Sequence, residues 1–163
     1  MLFIYQCEVK LNIFPCRFLH GIPILIKETM ATLDKMETTG KSCWFHVQAS
    51  VALTCHLALA GSLALVGSRP SMEATVVKRL RDAGAVILGK GTMSEWSHTR
   101  SPKVPNGWSA TGGQCVGPFY SNQDPQGSSS GCAVAASIGL APATIGGEVS
   151  SLIPFSILKI PWR

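Results

Sequence analysis

The chain has 163 residues, of which 46% are hydrophobic and 14% are charged. This balance excludes a disordered chain and provides enough apolar residues for one globular domain with a core. Fourteen basic and nine acidic residues give a formal net charge of +5. The densest basic group, Lys78, Arg79 and Arg81, has no aromatic residues between its members, so we interpret it as the solvated face of a helix. No nucleic-acid partner is predicted.

The six cysteines form no Cys-x-x-Cys pair and are too sparse for a small disulfide-stabilised secreted domain. Reduced thiols in a cytoplasmic protein are therefore the prediction. Cys43, His46, Cys55 and His56 are candidate metal ligands, but their spacing matches no common zinc pattern and the segment is otherwise apolar. No metal site is predicted.

Two apolar stretches raise the question of a targeting or membrane segment. Residues 1–5 are too short for the core of a signal peptide and have no basic residue before them. Residues 47–66 are long enough for a marginal membrane span, but Gln48 and His56 interrupt the apolar run. We therefore predict no membrane segment and a cytoplasmic location, with 47–66 as the weak alternative.

The first part of the chain contains one clear strand. Residues 1–18 have no periodic pattern and stay unassigned. Residues 22–26 form an apolar run that predicts a buried strand, with Pro23 near its start, where no donor of the strand ladder is missing. Lys27 ends this run, and a lysine in that position ordinarily extends its amine to water.

A helix and a strand follow in the middle of the chain. Ser71 is a predicted N-cap, and the helix that it opens carries an apolar stripe and ends at Gly84. Residues 85–88 predict a buried strand, and this alternation of helix and strand indicates a layered α/β fold. A short helix is predicted through residues 93–96. The Gly- and Pro-rich residues 101–117 predict a long loop that lines a site.

The strongest pattern lies between residues 124 and 153. Three serines, 128–130, stand between two glycines and open a predicted helix of small residues, 133–140. A short strand over 142–145 follows, and glycines 146 and 147 end it. The serines suit a helix cap, whereas the alternative of a phosphate cradle is opposed by the absence of a P-loop lysine and of Rossmann glycine spacing.

Several motifs, in this order, resemble the amidase signature family, which are serine hydrolases of amides. The Gly-Ser-Ser-rich turn, small-residue helix, strand and Gly-rich turn just described are similar to the signature itself. Upstream matches are HGIPILIK at 20–27, AGAVILGK at 83–90 and SEW at 94–96. GWSA at 107–110 with GGQ at 112–114 extends the likeness toward the acetamidase-like branch.

The resemblance implies a fold and two members of a catalytic relay. The fold class is α/β, an incomplete layered α/β/α amidase-signature fold with a mixed central sheet. Lys27 matches the family's catalytic base, and its apolar strand would lower the lysine pKa by desolvation. Ser128 matches a bridging serine that the family holds in a cis peptide conformation. Ser129 and Ser130 would then form hydrogen bonds and cap the helix.

The nucleophile is implied by the Gly-rich turn. With a one-residue deletion after Val149, Ser151 aligns with the nucleophilic serine, whereas without a gap the position falls on Leu152. We choose Ser151, with the backbone N–H groups of Val149, Ser150 and Ser151 as the oxyanion hole. No metal or organic cofactor is implied, and the partner is a small amide substrate. A homo-oligomer is left open.

The domain prediction is an unassigned segment at 1–18 and a truncated amidase signature domain at 19–163, with an unmatched insertion at about 41–60. Members of the family continue well past the nucleophile turn. The function implied is hydrolysis of carbon–nitrogen bonds in amides by a Ser-Ser-Lys relay, impaired in a chain of this length. The alternative is an inactive amidase-like fragment or mis-spliced product.

Overall fold

The computed structural model describes residues 17–33, 53–54, 60–65, 68 and 70–147. Two 3₁₀ turns lie at Leu63–Leu65 and Glu95–His98. The other elements, in chain order, are β1 (Pro23–Lys27), β2 (Leu53–Thr54), α1 (Thr75–Asp82), β3 (Val86–Gly91), β4 (Trp108–Ser109), β5 (Gly113–Gln114), α2 (Ser130–Ser137) and β6 (Ala143–Ile145).

The described strands form a mixed sheet with β1 in its interior. The order is β2-β3-β1-β6, in which β3 and β6 run parallel to β1 and β2 runs antiparallel to β3. Lys27 pairs with Gly91, and Ile26 pairs with Ile145. The carboxyl ends of three parallel strands therefore meet at one edge of the sheet, and Lys27 lies at that edge.

The two helices cover opposite faces of the sheet. Ile24 and Ile26 of β1 pack in one cluster with Val77 of α1, whereas Leu25 packs in another with Ala135 of α2. Because successive side chains of a strand point to opposite faces, α1 and α2 lie on opposite sides. This arrangement confirms the α/β prediction of helical layers around a mixed central sheet.

Helix α2 lies in very close contact with β3 and the residue that follows it. A Cβ added to Gly91 would lie 2.6 Å from Cys132 Sγ, and one added to Gly131 would lie 2.5 Å from Thr92 N. The Gly131 N–H donates to the Thr92 carbonyl at 3.0 Å. The small residues of this segment therefore permit direct backbone contact between the helix and the sheet edge.

Both helices begin at residues other than those that the sequence predicts. Helix α2 begins at Ser130, three residues before the predicted start, and the cap position Ser129 makes no side-chain cap hydrogen bond. Helix α1 begins after Ala74, so the predicted Ser71 cap is wrong. The Ala74 N–H donates instead to the Ala31 carbonyl at 3.0 Å. Tertiary hydrogen bonds decide where both helices start.

The predicted short helix over 93–96 is also wrong. Ser94 is extended, and the turn that follows has Trp96, Ser97 and His98 at φ values of 49°, 52° and 66°. Three consecutive non-glycine residues in the left-handed region are costly, at about 1–2 kcal/mol each. The Trp96 N–H donates to the Ala60 carbonyl at 2.7 Å. This tertiary contact stabilises a conformation that local preferences oppose.

Neither described helix is long and apolar enough to cross a membrane. The candidate segment 47–66 lies mostly outside the residues that the structure describes, as do the four candidate zinc ligands.

Glu28 joins three segments at the carboxyl end of β1. Its side chain is completely buried, and Oε1 accepts the Thr111 hydroxyl at 3.5 Å. The Thr111 N–H donates to the Gly61 carbonyl at 3.3 Å. The strand end, the 60–65 segment and the β4–β5 hairpin therefore meet at this carboxyl group. Burial raises the pKa of Glu28 from 4.5 to about 7, although Thr111, Lys90 and the Gly61 backbone each lower it.

We predict that Glu28→Gln removes a pH-dependent loss of stability. Between pH 4.5 and 7 the folded chain keeps the Glu28 proton whereas the unfolded chain releases it, so the free energy of unfolding falls as pH rises through this window. The shift corresponds to about 3 kcal/mol. The advantage of Glu28→Gln over the parent should therefore grow by about 3 kcal/mol from pH 4.5 to 8, measured by urea unfolding.

Thr111→Val is the companion variant. It removes a hydroxyl that lowers the Glu28 pKa. The pH range over which the free energy of unfolding falls should therefore extend to higher pH. If the free energy of unfolding had the same pH dependence in the parent and in Glu28→Gln, the raised pKa of Glu28 would be contradicted.

A second prediction concerns the contact of α2 with the sheet. Gly131→Ala should lower the free energy of unfolding by about 2 kcal/mol or more, because the added methyl group meets the Thr92 backbone and α2 must move away. Ser137→Ala is the control, since Ser137 is exposed and bonds only within its own helix; its effect should stay within about 0.5 kcal/mol. Equal stability of the two variants in urea unfolding would refute the close packing.

Candidate active site

The amine of Lys27 is the centre of the candidate site. The side chain is 1% exposed, although it carries an ionisable group at the end of a strand. Its Nζ donates to Ser128 Oγ at 2.9 Å and to the Gly147 carbonyl at 3.5 Å. Lys27 therefore does not extend its amine to water as a strand-end lysine ordinarily does, and its burial agrees with the desolvated lysine that the resemblance implies. Lys27 and Ser128 are 101 positions apart in the chain, and the fold brings them together.

Ser128 lies in the turn that leads into α2. Gln126 and Gly127 have φ values of 55° and 62°, which reverse the chain toward the sheet edge just before Ser128. The peptide bonds of the described residues are all trans, so the cis conformation expected at Ser128 is wrong. With trans bonds on both sides, the Ser128 hydroxyl still lies 2.9 Å from Lys27 Nζ.

Ser129 connects α2 to the turn after β6. Its hydroxyl donates to the Gly147 carbonyl at 2.9 Å and accepts from the Gly147 N–H at 3.1 Å. These bonds explain why Ser129 does not cap its own helix. Lys27 also donates to the Gly147 carbonyl, so the beginning of the Gly-rich turn is held beside the lysine amine. The role of Ser129 is therefore tertiary, and the predicted capping role is wrong.

Ser130 does not serve as a hydrogen-bonding cap either. It is completely buried as the first residue of α2, and its hydroxyl has no partner among the described residues. Three adjacent serines thus have three different environments.

The predicted nucleophile and oxyanion-hole residues, Val149, Ser150 and Ser151, lie outside the described residues. Their roles stay predictions. The structure describes the chain as far as Gly147, which precedes these residues in the sequence.

Two buried thiols close to the site are poor nucleophiles. Cys132 lies beside the sheet edge, where its Sγ donates to the Ile145 carbonyl at 3.6 Å. Burial raises the pKa of Cys132 to about 12, and the neighbouring Lys27 only partly opposes this. Burial also raises the pKa of Cys115 to about 11. Because the thiolate is the reactive form of cysteine, both groups are protonated and unreactive at neutral pH.

Sequence reasoning assigned no role to two residues that organise the site. Glu28 follows the apolar strand directly and was given no role, yet it is buried and contacts the hairpin. Ser94 belongs to the quoted Ser-Glu-Trp motif, and its N–H donates to the Ser128 carbonyl at 3.1 Å. The motif was a signal for Ser94, whereas a glutamate after an apolar strand carries no comparable signal.

Comparison with known proteins connects this site to one family. The sequence model of the family described as Amidase matches residues 45–154. This range contains Ser128 and begins after Lys27. A putative amidase of Arthroderma benhamiae is 46% identical over 135 residues, which are 83% of this chain and 19% of the relative. A probable amidase of Arabidopsis thaliana is 42% identical over 135 residues, which are 83% and 22% of the two chains.

Solved structures show the same likeness in three dimensions. The peptide amidase of Stenotrophomonas maltophilia superposes with a TM-score of 0.63 at 44% identity, over 80% of this chain and 22% of that one. An amidase family protein of Bacillus anthracis gives a TM-score of 0.65 at 28% identity, over 88% and 25% of the two chains. The chain thus spans about a fifth of the length of the curated relatives it matches. With a family model matched over most of its residues, this chain belongs to the Amidase family.

Proposed function

We propose that the chain carries the Ser-Ser-Lys relay of an amide hydrolase, with Lys27 as general base and then acid, Ser128 as proton bridge and Ser151 as nucleophile. The observation that supports it best is the 2.9 Å hydrogen bond from the buried Lys27 Nζ to the half-buried Ser128 Oγ. A lysine removed from water releases its proton more readily than an exposed one. The neutral amine can then accept the serine proton.

The proposed reaction moves one proton in each direction. The Ser151 hydroxyl attacks the amide carbonyl while its proton passes to Ser128, and the Ser128 proton passes to Lys27. The tetrahedral oxyanion is stabilised by the backbone N–H groups of Val149, Ser150 and Ser151. Lys27 returns the proton through Ser128 to the leaving nitrogen, which departs as ammonia or an amine. Water then attacks the acyl-enzyme by the same route and regenerates Ser151.

The position of Gly147 supports the choice of Ser151. The Gly147 carbonyl is 3.5 Å from Lys27 Nζ. Four residues span at most about 14 Å when fully extended, so a serine four positions after Gly147 is close enough along the chain to reach Ser128. The proposed substrate is a small amide, and the chemistry assigned to these residues needs no metal or organic cofactor.

A second proposal is that the isolated chain is catalytically inactive. At the end of the described sheet, β6 has no strand on its outer edge among the described residues. An unpaired edge exposes backbone N–H and C=O groups that a larger sheet would satisfy. Measuring the hydrolysis of small amides by the purified chain decides between this proposal and an active chain.

We also propose a cytoplasmic location. Cys115 and Cys132 are reduced cysteines and form no disulfide in the described part of the chain. Reduced thiols are the usual state in a reducing compartment.

The test of the relay compares the purified parent with Lys27→Ala, Ser128→Ala and Ser151→Ala in the hydrolysis of small amides. If the chain is active, each substitution should lower kcat/KM by about 1000-fold or more, because residues of a relay act as a unit. Lys78→Ala and Ser137→Ala replace exposed residues of the same types and should keep the parent rate.

The outcomes separate the individual assignments. Parent-like rates in all three relay variants would refute the mechanism. Loss in Lys27→Ala and Ser128→Ala with full activity in Ser151→Ala would refute only the nucleophile. A fluorophosphonate, which modifies activated serines, provides a readout without turnover. Its adduct should map to Ser151 and disappear in Lys27→Ala, and an unlabelled, inactive parent supports the second proposal.

A further inference from the structure

Ser94 is a completely buried serine that uses all of its hydrogen-bonding groups close to Ser128. Its hydroxyl donates to the Gly127 carbonyl at 3.3 Å and accepts from the Gly107 N–H at 2.8 Å. Its backbone N–H donates to the Ser128 carbonyl at 3.1 Å, and its carbonyl accepts from the Ser97 N–H at 2.9 Å. One small residue therefore connects the Gly107 loop to the turn that carries Ser128.

These contacts hold both peptide units that flank Ser128. The Gly127 carbonyl belongs to the peptide unit before Ser128, and the Ser128 carbonyl belongs to the unit after it. Each peptide unit is planar, so holding both carbonyls restricts the backbone on either side of the serine Cα. The main remaining freedom of the Ser128 hydroxyl is rotation about its own χ1 angle, and the bond to Lys27 at 2.9 Å selects one rotamer.

The backbone of Ser94 is itself firmly held. The left-handed turn over 96–98 begins two residues later, and its Trp96 N–H donates to the Ala60 carbonyl at 2.7 Å. Backbone in sparsely populated regions persists only where the surroundings enforce it, and it is concentrated at functional sites. The turn places the Ser94 N–H and hydroxyl on the same side of the chain, toward 127 and 128.

We propose that Ser94 is a positioning residue that holds the Ser128 hydroxyl at bonding distance from Lys27. This inference rests on the proposed relay, in which Ser128 is the proton bridge. Ser94 acts through the backbone of Ser128 and is assigned no contact with substrate. Its hydroxyl is needed because an alanine would leave the Gly107 N–H and the Gly127 carbonyl without their buried partner.

The first test is Ser94→Ala, with Ser62→Ala as the matched control. Ser62 is also a buried serine, and its hydroxyl accepts one backbone N–H, from Ala64 at 3.3 Å. We expect Ser94→Ala to lower kcat about 10- to 100-fold with little change in KM, since a displacement on the order of 1 Å can cost about 100-fold in rate. Ser62→Ala should keep the parent kcat.

A double-mutant cycle separates positioning from a general loss of stability. If Ser94 acts only through Ser128, Ser94→Ala should have no further effect on kcat in a Ser128→Ala background. Equal fold losses in the presence and absence of the Ser128 hydroxyl would overturn the inference. So would a kcat for Ser94→Ala that matches that of Ser62→Ala.

A readout without turnover keeps the inference testable if the chain is inactive. Amide hydrogen exchange over residues 126–131 should be about 10-fold faster in Ser94→Ala than in the parent, because the turn loses its anchor. In Ser62→Ala the exchange of this segment should equal that of the parent. Unchanged exchange in Ser94→Ala would overturn the inference, whereas faster exchange without amidase activity in any chain would reject only the proposed function.

Discussion

The structure depends on one hydrogen bond, between the buried amine of Lys27 and the half-buried hydroxyl of Ser128. A polar group removed from water is costly unless it is hydrogen-bonded, and for a charged group the cost is several kcal/mol. Lys27 is 1% exposed, so its amine requires partners from the fold itself. Ser128 and Gly147 provide them from the start of α2 and from the turn after β6. The hydrogen bonds of the Lys27 amine therefore connect the end of β1, the start of α2 and the residues after β6.

That meeting is possible because bulky side chains are absent where α2 approaches the sheet. Gly91 and Gly131 stand at the contact, and a methyl group on either would lie within 3 Å of neighbouring atoms. The helix consequently bonds the sheet edge through its own backbone, from the Gly131 N–H to the Thr92 carbonyl. A larger separation would carry Ser128 away from Lys27. The small-residue composition of the helix is thus a geometric requirement of the site.

The sequence predicted the elements better than it predicted their ends. Apolar runs indicated β1, β3 and β6, which the structure contains. The resemblance paired Lys27 with Ser128, and their side chains lie 2.9 Å apart. The start of α2 was missed because the Ser129 hydroxyl bonds Gly147, a partner 18 residues away that local capping rules cannot anticipate. The left-handed turn over 96–98 was missed for the same reason, since a contact with Ala60 stabilises it. No pattern in the neighbouring sequence predicts the trans backbone at Ser128 or the burial of Glu28.

Ionisable side chains are buried here at a density that stability alone does not explain. Lys27, Glu28 and Lys90 are each no more than 2% exposed, at the adjacent ends of two paired strands. Well-packed apolar residues in place of buried ionisable groups are often neutral or stabilising. The Glu28 carboxyl even keeps a pKa of about 7, because the fold disfavours its charge. These three groups lie at one end of the sheet, near the lysine–serine bond, and buried ionisable groups with a perturbed pKa are concentrated at candidate functional sites.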